Sequence, residues 1–339
     1  MSASVSRVAS NRVLRGAALA AGGLACLVLL LALAGFVYQQ TGETRDLSAF
    51  PPPGEFYDVG DVSLHMSCSG AGVQTVLLSS GMGNPAASWE PLRRLLEPDF
   101  RVCSYDRDGL GWSRDSGGPR DATLAAGRLA RLMDAAGLNG PVILVGHSYG
   151  ALVGRVFAAA YPQRVSALVL LDSSHEDMGE RFPPIAQQGF KDLLAGFKLA
   201  PWLNRFGLGR FTGLFEPAID GLEGRDRAQA LALLNTVSHM QGTAAEASGW
   251  ERSAAPARAL RTKGFGALPL DVFVAGAWPE EMMPSWLAMQ RELAGLSSDS
   301  RIFILEEANH PQVGMDRRFI GQVAEAVRRR AAAMHADAP

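Results

Sequence analysis

Residues 142–153 constrain the fold more than any other stretch of the chain. Val142-Ile143-Leu144-Val145 is an unbroken aliphatic run, Gly146-His147-Ser148-Tyr149-Gly150 follows without a spacer, and Ala151-Leu152-Val153 opens a helical pattern. A strand that enters a helix through a turn with glycine at both ends is so tight that a Cβ at either end would meet backbone. An apolar run with no polar alternation suits a strand covered on both faces. The same alternation recurs along the chain. Strands are expected near 56–59, 62–68, 75–79, 101–105, 142–145, 167–171, 271–275 and 301–305, and helical patterns near 89–96, 122–136, 151–160, 286–294 and 317–334. This is the signature of the α/β class, a mostly parallel eight-stranded sheet with helices on both faces.

One interval breaks the rhythm. About a hundred residues separate the strand ending at Leu171 from the one starting at Asp271, far more than an ordinary connection. Amphipathic helices are expected there at 190–199 and 226–241, together with Trp202, Phe206, Phe211, Phe215 and Trp250. Residues 175–268 therefore read as a helical cap inserted after strand 6, whose aromatics should line the approach to the site. The core is split into 55–174 and 269–334.

The amino-terminal segment has a different character. Residues 16–38 carry no charge, enough at about 1.5 Å per residue to cross a hydrocarbon core of about 30 Å. Arg7, Arg12 and Arg15 precede this run, which predicts a cytoplasmic segment 1–15 and a main domain on the far side of the membrane, periplasmic or extracellular. A cleaved secretory signal is the alternative, since Ala32-Leu33-Ala34 resembles a small-residue cleavage site and would leave a secreted domain. Residues 39–54, polar and then Pro51-Pro52-Pro53-Gly54, read as a linker.

Charge excludes one class of partner: a net charge of −2 without a basic cluster gives no footprint for nucleic acid. Three cysteines without CxxC spacing and six scattered histidines signal neither a zinc site nor any other metal, and no cofactor is expected.

The turn at 146–150 is the G-x-S-x-G elbow in its required strand–turn–helix setting, which presents the Ser148 hydroxyl at the carboxyl edge of the sheet. A serine hydroxyl needs a positioned base to attack. Of His65, His147, His175, His239, His310 and His335, His310 follows the last strand and returns to the edge where Ser148 lies; His147, inside the elbow, is expected to point away. Ser80-Gly81-Met82-Gly83 follows the third strand, and the N–H groups of Met82 and Tyr149 are the candidate oxyanion donors.

Together these segments resemble the α/β-hydrolase fold family from about residue 55 to 334. Tyr105-Asp106-Arg107-Asp108-Gly109-Leu110-Gly111-Trp112-Ser113 is similar to the family's Y-D-x-x-G-x-G-x-S segment, and Ala308-Asn309-His310 to its terminal G-H, with Asn309 in place of glycine. Ser80-Gly81 stands where many members have His-Gly. The resemblance implies a catalytic acid after the seventh strand, but Pro279 occupies that place in Gly276-Ala277-Trp278-Pro279-Glu280-Glu281. Asp172, at the end of the sixth strand, is the first candidate; Glu280 is the alternative, with Glu281 or Asp177 behind it. The family's strand order also brings Cys68 beside Cys103, so a disulfide or two buried thiols is expected. The implied activity is hydrolysis of a small-molecule or lipid-like carboxylic ester through an acyl-enzyme. An acyltransferase with the same triad and a silent ligand-binding receptor are the competing classes.

Overall fold

In the computed structural model, residues 2–336 are described; Met1 of the expected cytoplasmic segment lies outside them. Eight strands are present: β1 Glu55–Asp58, β2 Ser63–Ser69, β3 Thr75–Ser79, β4 Arg101–Tyr105, β5 Val142–His147, β6 Val165–Leu171, β7 Leu270–Ala275 and β8 Ser300–Leu305. They lie in the order β1-β2-β4-β3-β5-β6-β7-β8. β1–β2 and β2–β4 pair antiparallel and every later pair is parallel.

The strand period of two sorts the core into two layers. Leu77, Leu144, Leu168, Leu170, Val272 and Val274 face one side, while Val76, Leu78, Ile143, Val145, Val169 and Phe273 face the other; all are fully buried. The first layer is covered by helices at Ala122–Ala135, Tyr149–Ala160 and Met283–Ala294. The second is covered by Glu90–Leu96 and Ile320–Ala336. Each fully buried Leu or Val contributes about 1.5–3 kcal/mol, so these two aliphatic layers dominate the core. Cys68 and Cys103 are directly opposed in the β2–β4 register and their sulfurs are bonded.

The cap fills the interval between β6 and β7 with six α-helices among the described residues, from Met178–Arg181 to Trp250–Lys263. The single helix expected over 226–241 is two, Gly224–Leu234 and Val237–Ser248. Asn235 closes the first and Thr236 caps the second, its hydroxyl accepting the N–H of His239 at 3.2 Å. The helix expected over 317–334 starts only at Ile320.

The linker expected at 39–54 is corrected by the structure. One helix, α1, runs from Ser2 to Ala49, and extended chain begins only at Pro51-Pro52-Pro53, which cannot continue a helix. Residues 35–46 are held against the cap. Gly35 packs on the backbone of Phe206, Gln39 Nε2 donates to the Asn235 carbonyl at 2.6 Å, and Arg210 pairs with Asp46. This polar stretch has tertiary partners that its composition does not announce.

Candidate active site

Ser148 sits between β5 and the following helix at φ 52°, ψ −121°, a left-handed-side backbone that costs a non-glycine residue about 1–3 kcal/mol. The turn is held on both sides: Ser148 N–H donates to the Leu171 carbonyl at 3.0 Å, and its own carbonyl accepts from Ser174 N–H at 3.1 Å. The glycines are steric requirements. A Cβ on Gly146 would lie 2.6 Å from Ala151 Cα, and one on Gly150 would strike the Ser79 and Ser80 carbonyls.

The carboxylate at the end of β6 is the best-partnered group nearby. Asp172, fully buried and itself at φ 41°, accepts from the Ala275 N–H at 2.9 Å and Trp286 Nε1 at 2.7 Å on Oδ1. Its Oδ2 accepts from Trp278 Nε1 at 3.1 Å and His310 Nδ1 at 2.6 Å. An ionised carboxylate can only accept, so Nδ1 of His310 carries the proton, and in a neutral imidazole that leaves the lone pair on Nε2. Glu280 and Glu281 are exposed in the loop after β7 and make no bond to His310, while Asp177 is engaged by Arg258 and Arg261. Between Asp172 and Glu280, the structure places Asp172 at the imidazole. Ser148 Oγ lies 3.3 Å from Ser174 Oγ, and among the described residues it makes no hydrogen bond to His310. Unliganded sites often have such loose contacts.

His147, expected to point away from Ser148, makes no hydrogen bond to it among the described residues and lines the same cavity beside His310. Its Nε2 donates to the His310 carbonyl at 2.9 Å, and burial, reinforced by the neighbouring His310, pushes its pKa down to about 3. The imidazole is therefore neutral and acts as a fixed donor to the loop that carries His310. Asn309, in the position where the resemblance expects glycine, donates Nδ2 to Asp220 of the cap at 2.6 Å, and Gln312 Nε2 joins the same carboxylate at 3.0 Å. That loop is tied to the cap from its other side.

The loop Ser80-Gly81-Met82-Gly83 faces Ser148. A Cβ on Gly81 would come within 3.0 Å of His147 Nδ1 and 3.4 Å of Ser148 Cβ. Buried Arg107 donates to the Ser80 carbonyl and, at 2.9 Å, to that of Gly81, while its Nε donates to Glu246 of the cap at 2.6 Å. Glu246 accepts the Gly83 N–H at 3.4 Å, and His239 Nε2 donates to the Gly83 carbonyl at 2.7 Å. The N–H groups of Met82 and Tyr149 donate to no other group among the described residues.

A cavity of about 380 Å³ reaches Ser148 and His310, walled on the cap side by Phe190, Leu194, Phe197 and Phe215. Of the aromatics expected to line it, Trp250 and Phe215 do so. Trp202, Phe206 and Phe211 do not: they project outward on the cap surface. A second, more open cavity of about 540 Å³, with Asp220, Arg227 and Asn309 in its walls, shares Trp278 and His310 with the first. No role for Trp278, Trp286, Arg107 or Glu246 was legible in the sequence. The one legible hint was an indole-bearing loop in place of the usual acid.

Residues 74–206 match the family model described as alpha/beta hydrolase fold, and the strand order above completes the pattern outside that stretch. The chain is an α/β-hydrolase fold protein, related to hydrolases. A 2-hydroxy-6-oxononadienedioate/2-hydroxy-6-oxononatrienedioate hydrolase of Paraburkholderia xenovorans is 34% identical over 152 residues, 43% of this chain and 51% of that protein. A thermophilic esterase from Thermogutta terrifontis superposes with a TM-score of 0.60 at 23% identity, over 81% of this chain and 94% of its own. The Cif epoxide hydrolase from Acinetobacter nosocomialis does so with a TM-score of 0.69 at 16% identity, over 87% and 96%. The chain spans about half the length, or less, of the curated relatives it matches. An esterase and an epoxide hydrolase share this fold, so it does not choose the substrate.

Proposed function

We propose that this chain is a serine hydrolase that cleaves carboxylic esters through an acyl-enzyme on Ser148, with His310 as base and Asp172 as its orienting acid. The observation that carries the reading is the 2.6 Å contact from His310 Nδ1 to Asp172, beside a serine held on a strained elbow. His310 Nε2 takes the proton of Ser148 as Oγ attacks the acyl carbon, and the resulting oxyanion accepts from the N–H groups of Met82 and Tyr149. Collapse expels the alcohol with the proton from Nε2, and water then releases the acid by the same steps. A serine at the elbow favours acyl chemistry over epoxide or haloalkane opening, which in relatives uses a carboxylate there.

The apolar cavity suits a hydrophobic acyl group, and the open cavity with Asp220 and Arg227 suits the more polar alcohol. α1 is the one helix among the described residues long and apolar enough to cross a membrane. We read it as a retained anchor with the hydrolase domain on the non-cytoplasmic side, a compartment where the Cys68–Cys103 bond persists. Turnover of nitrophenyl esters of graded acyl length, with and without an alcohol acceptor, tests the activity. Release of free acid that rises with acyl length is expected; failure to cleave any ester, or transfer to the acceptor alone, would sink it.

A further inference from the structure

The cap carries an outward apolar face that the fold leaves exposed. Leu199, Trp202, Phe206, Leu208, Phe211 and Leu214 are all exposed, Phe211 to 79% and Trp202 to 61%. In a water-soluble domain so much clustered apolar surface marks an interaction site. What covers it follows from the position of α1. Gly35 of that helix packs on the backbone of Phe206, and Tyr38 lies against Gly207, where a Cβ would be only 2.8 Å from its ring. Residues 15–31 leave the cap behind and are exposed throughout.

The apolar run of α1 extends to Tyr38, so its last turn, 35–38, is level with Phe206 and Gly207. Three residues at about 1.5 Å each place this part of the cap roughly 5 Å inside the apolar boundary. That is the depth, about 5–10 Å, at which amphipathic helices lie in a membrane interface. Arg205, stacked over the Trp202 ring at 5.4 Å, is placed to reach back to the headgroups. Leu214 and Leu193 are each half exposed and also line the cavity that reaches Ser148. The apolar face and the acyl pocket are thus continuous.

We infer that the cap is seated in the lipid bilayer that α1 spans, with the face around Trp202, Phe206 and Phe211 in the outer interface, and that acyl substrates enter the Ser148 cavity from the lipid phase. This rests on the serine-hydrolase reading for the substrate, but not for the seating of the cap.

The test uses the full chain in phosphatidylcholine vesicles. In a Cys26→Ala background, Phe211→Cys carries an environment-sensitive fluorophore, and Val73→Cys, at a position 98% exposed away from the cap, is the control. Nitroxide on the upper acyl chain should quench the label at 211 and leave it protected from aqueous iodide, with the reverse at 73. Iodide quenching at 211 equal to that at 73, or protection from both quenchers as in a protein–protein interface, overturns the seating. A second arm compares two esters in the Trp202→Glu, Phe211→Glu double variant. Replacing two apolar anchors with carboxylates lowers turnover of a long-chain ester held in the vesicle about tenfold or more. Turnover of a short, water-soluble ester is unchanged. Equal effects on the two esters overturn entry from the lipid phase. If neither ester is cleaved by the unaltered protein, the hydrolase reading fails, while the quenching still decides where the cap lies.

Discussion

Replacing Asp172 by Asn isolates what its carboxylate does. In the native site both oxygens accept, two donors each: Ala275 N–H and Trp286 Nε1–H on Oδ1, Trp278 Nε1–H and His310 Nδ1–H on Oδ2. Asparagine has the same shape but one acceptor oxygen and one NH₂. Its oxygen stays where the shorter bond to buried Trp286 and the backbone N–H need it, so the NH₂ faces Trp278 and His310. His310 can meet that NH₂ only by moving its proton from Nδ1 to Nε2, and an Nε2–H cannot accept the proton of Ser148. The expected loss in kcat is about 10⁴-fold, or about 5.5 kcal/mol of transition-state stabilisation. One indole N–H left without an acceptor costs about 1–3 kcal/mol of stability, so the fold survives. Steady-state kinetics on a nitrophenyl ester, paired with a thermal melt, make the check. A folded Asp172→Asn protein with kcat within tenfold of the original would refute the orienting role.

Further outcomes follow from neighbouring groups. Glu246→Gln weakens the Arg107 clamp on the Ser80–Gly83 loop and should lower kcat about 10- to 100-fold with less effect on KM; an unchanged kcat would show that the clamp does not place the loop. His147 is held neutral, its pKa down from 6.5 to about 3 by burial and by His310. Between those values the unfolded chain binds the extra proton, so its contribution to stability is full above pH 6.5 and is lost as pH falls towards 3, by up to about 1.4 kcal/mol per pH unit. His147→Gln should flatten that slope in melts across the range, and an unaltered slope would assign the acid sensitivity elsewhere. Breaking the Cys68–Cys103 bond, which closes a sequence separation of 35, should cost about 2–4 kcal/mol by denaturant titration of the oxidised and reduced protein. No difference would mean that the reduced chain is already constrained.

The parts of this structure that sequence foretold are those written in local pattern. Strand periodicity, the Gly146–Gly150 turn and the chain order of Ser148, Asp172 and His310 depend on neighbours along the chain, and the sheet topology then gathers their ends at one edge. Asp172 and Glu280 could not be separated that way, because the difference lies in donors that arrive from Trp278 and Trp286, more than a hundred residues after Asp172. The same holds for Arg107 and Glu246, a pair 139 residues apart. α1 reads as a span followed by a linker because residues 39–49 look soluble alone; their helix is fixed by Asn235 and Arg210 in the cap. The cap aromatics were correctly marked as unusual, but composition could not say that Trp250 and Phe215 face Ser148 while Trp202 and Phe211 face outward.

The proposed chemistry requires an activated Ser148, and one measurement bears on it directly. The full chain is treated with a fluorophosphonate probe, and the modified residue is located by mass spectrometry of the digested protein. The account predicts a single adduct on the peptide containing Ser148, absent from folded Ser148→Ala and formed far more slowly in His310→Ala, since the base that removes the hydroxyl proton is gone. An adduct on another residue, or labelling at the original rate in either variant, would contradict it.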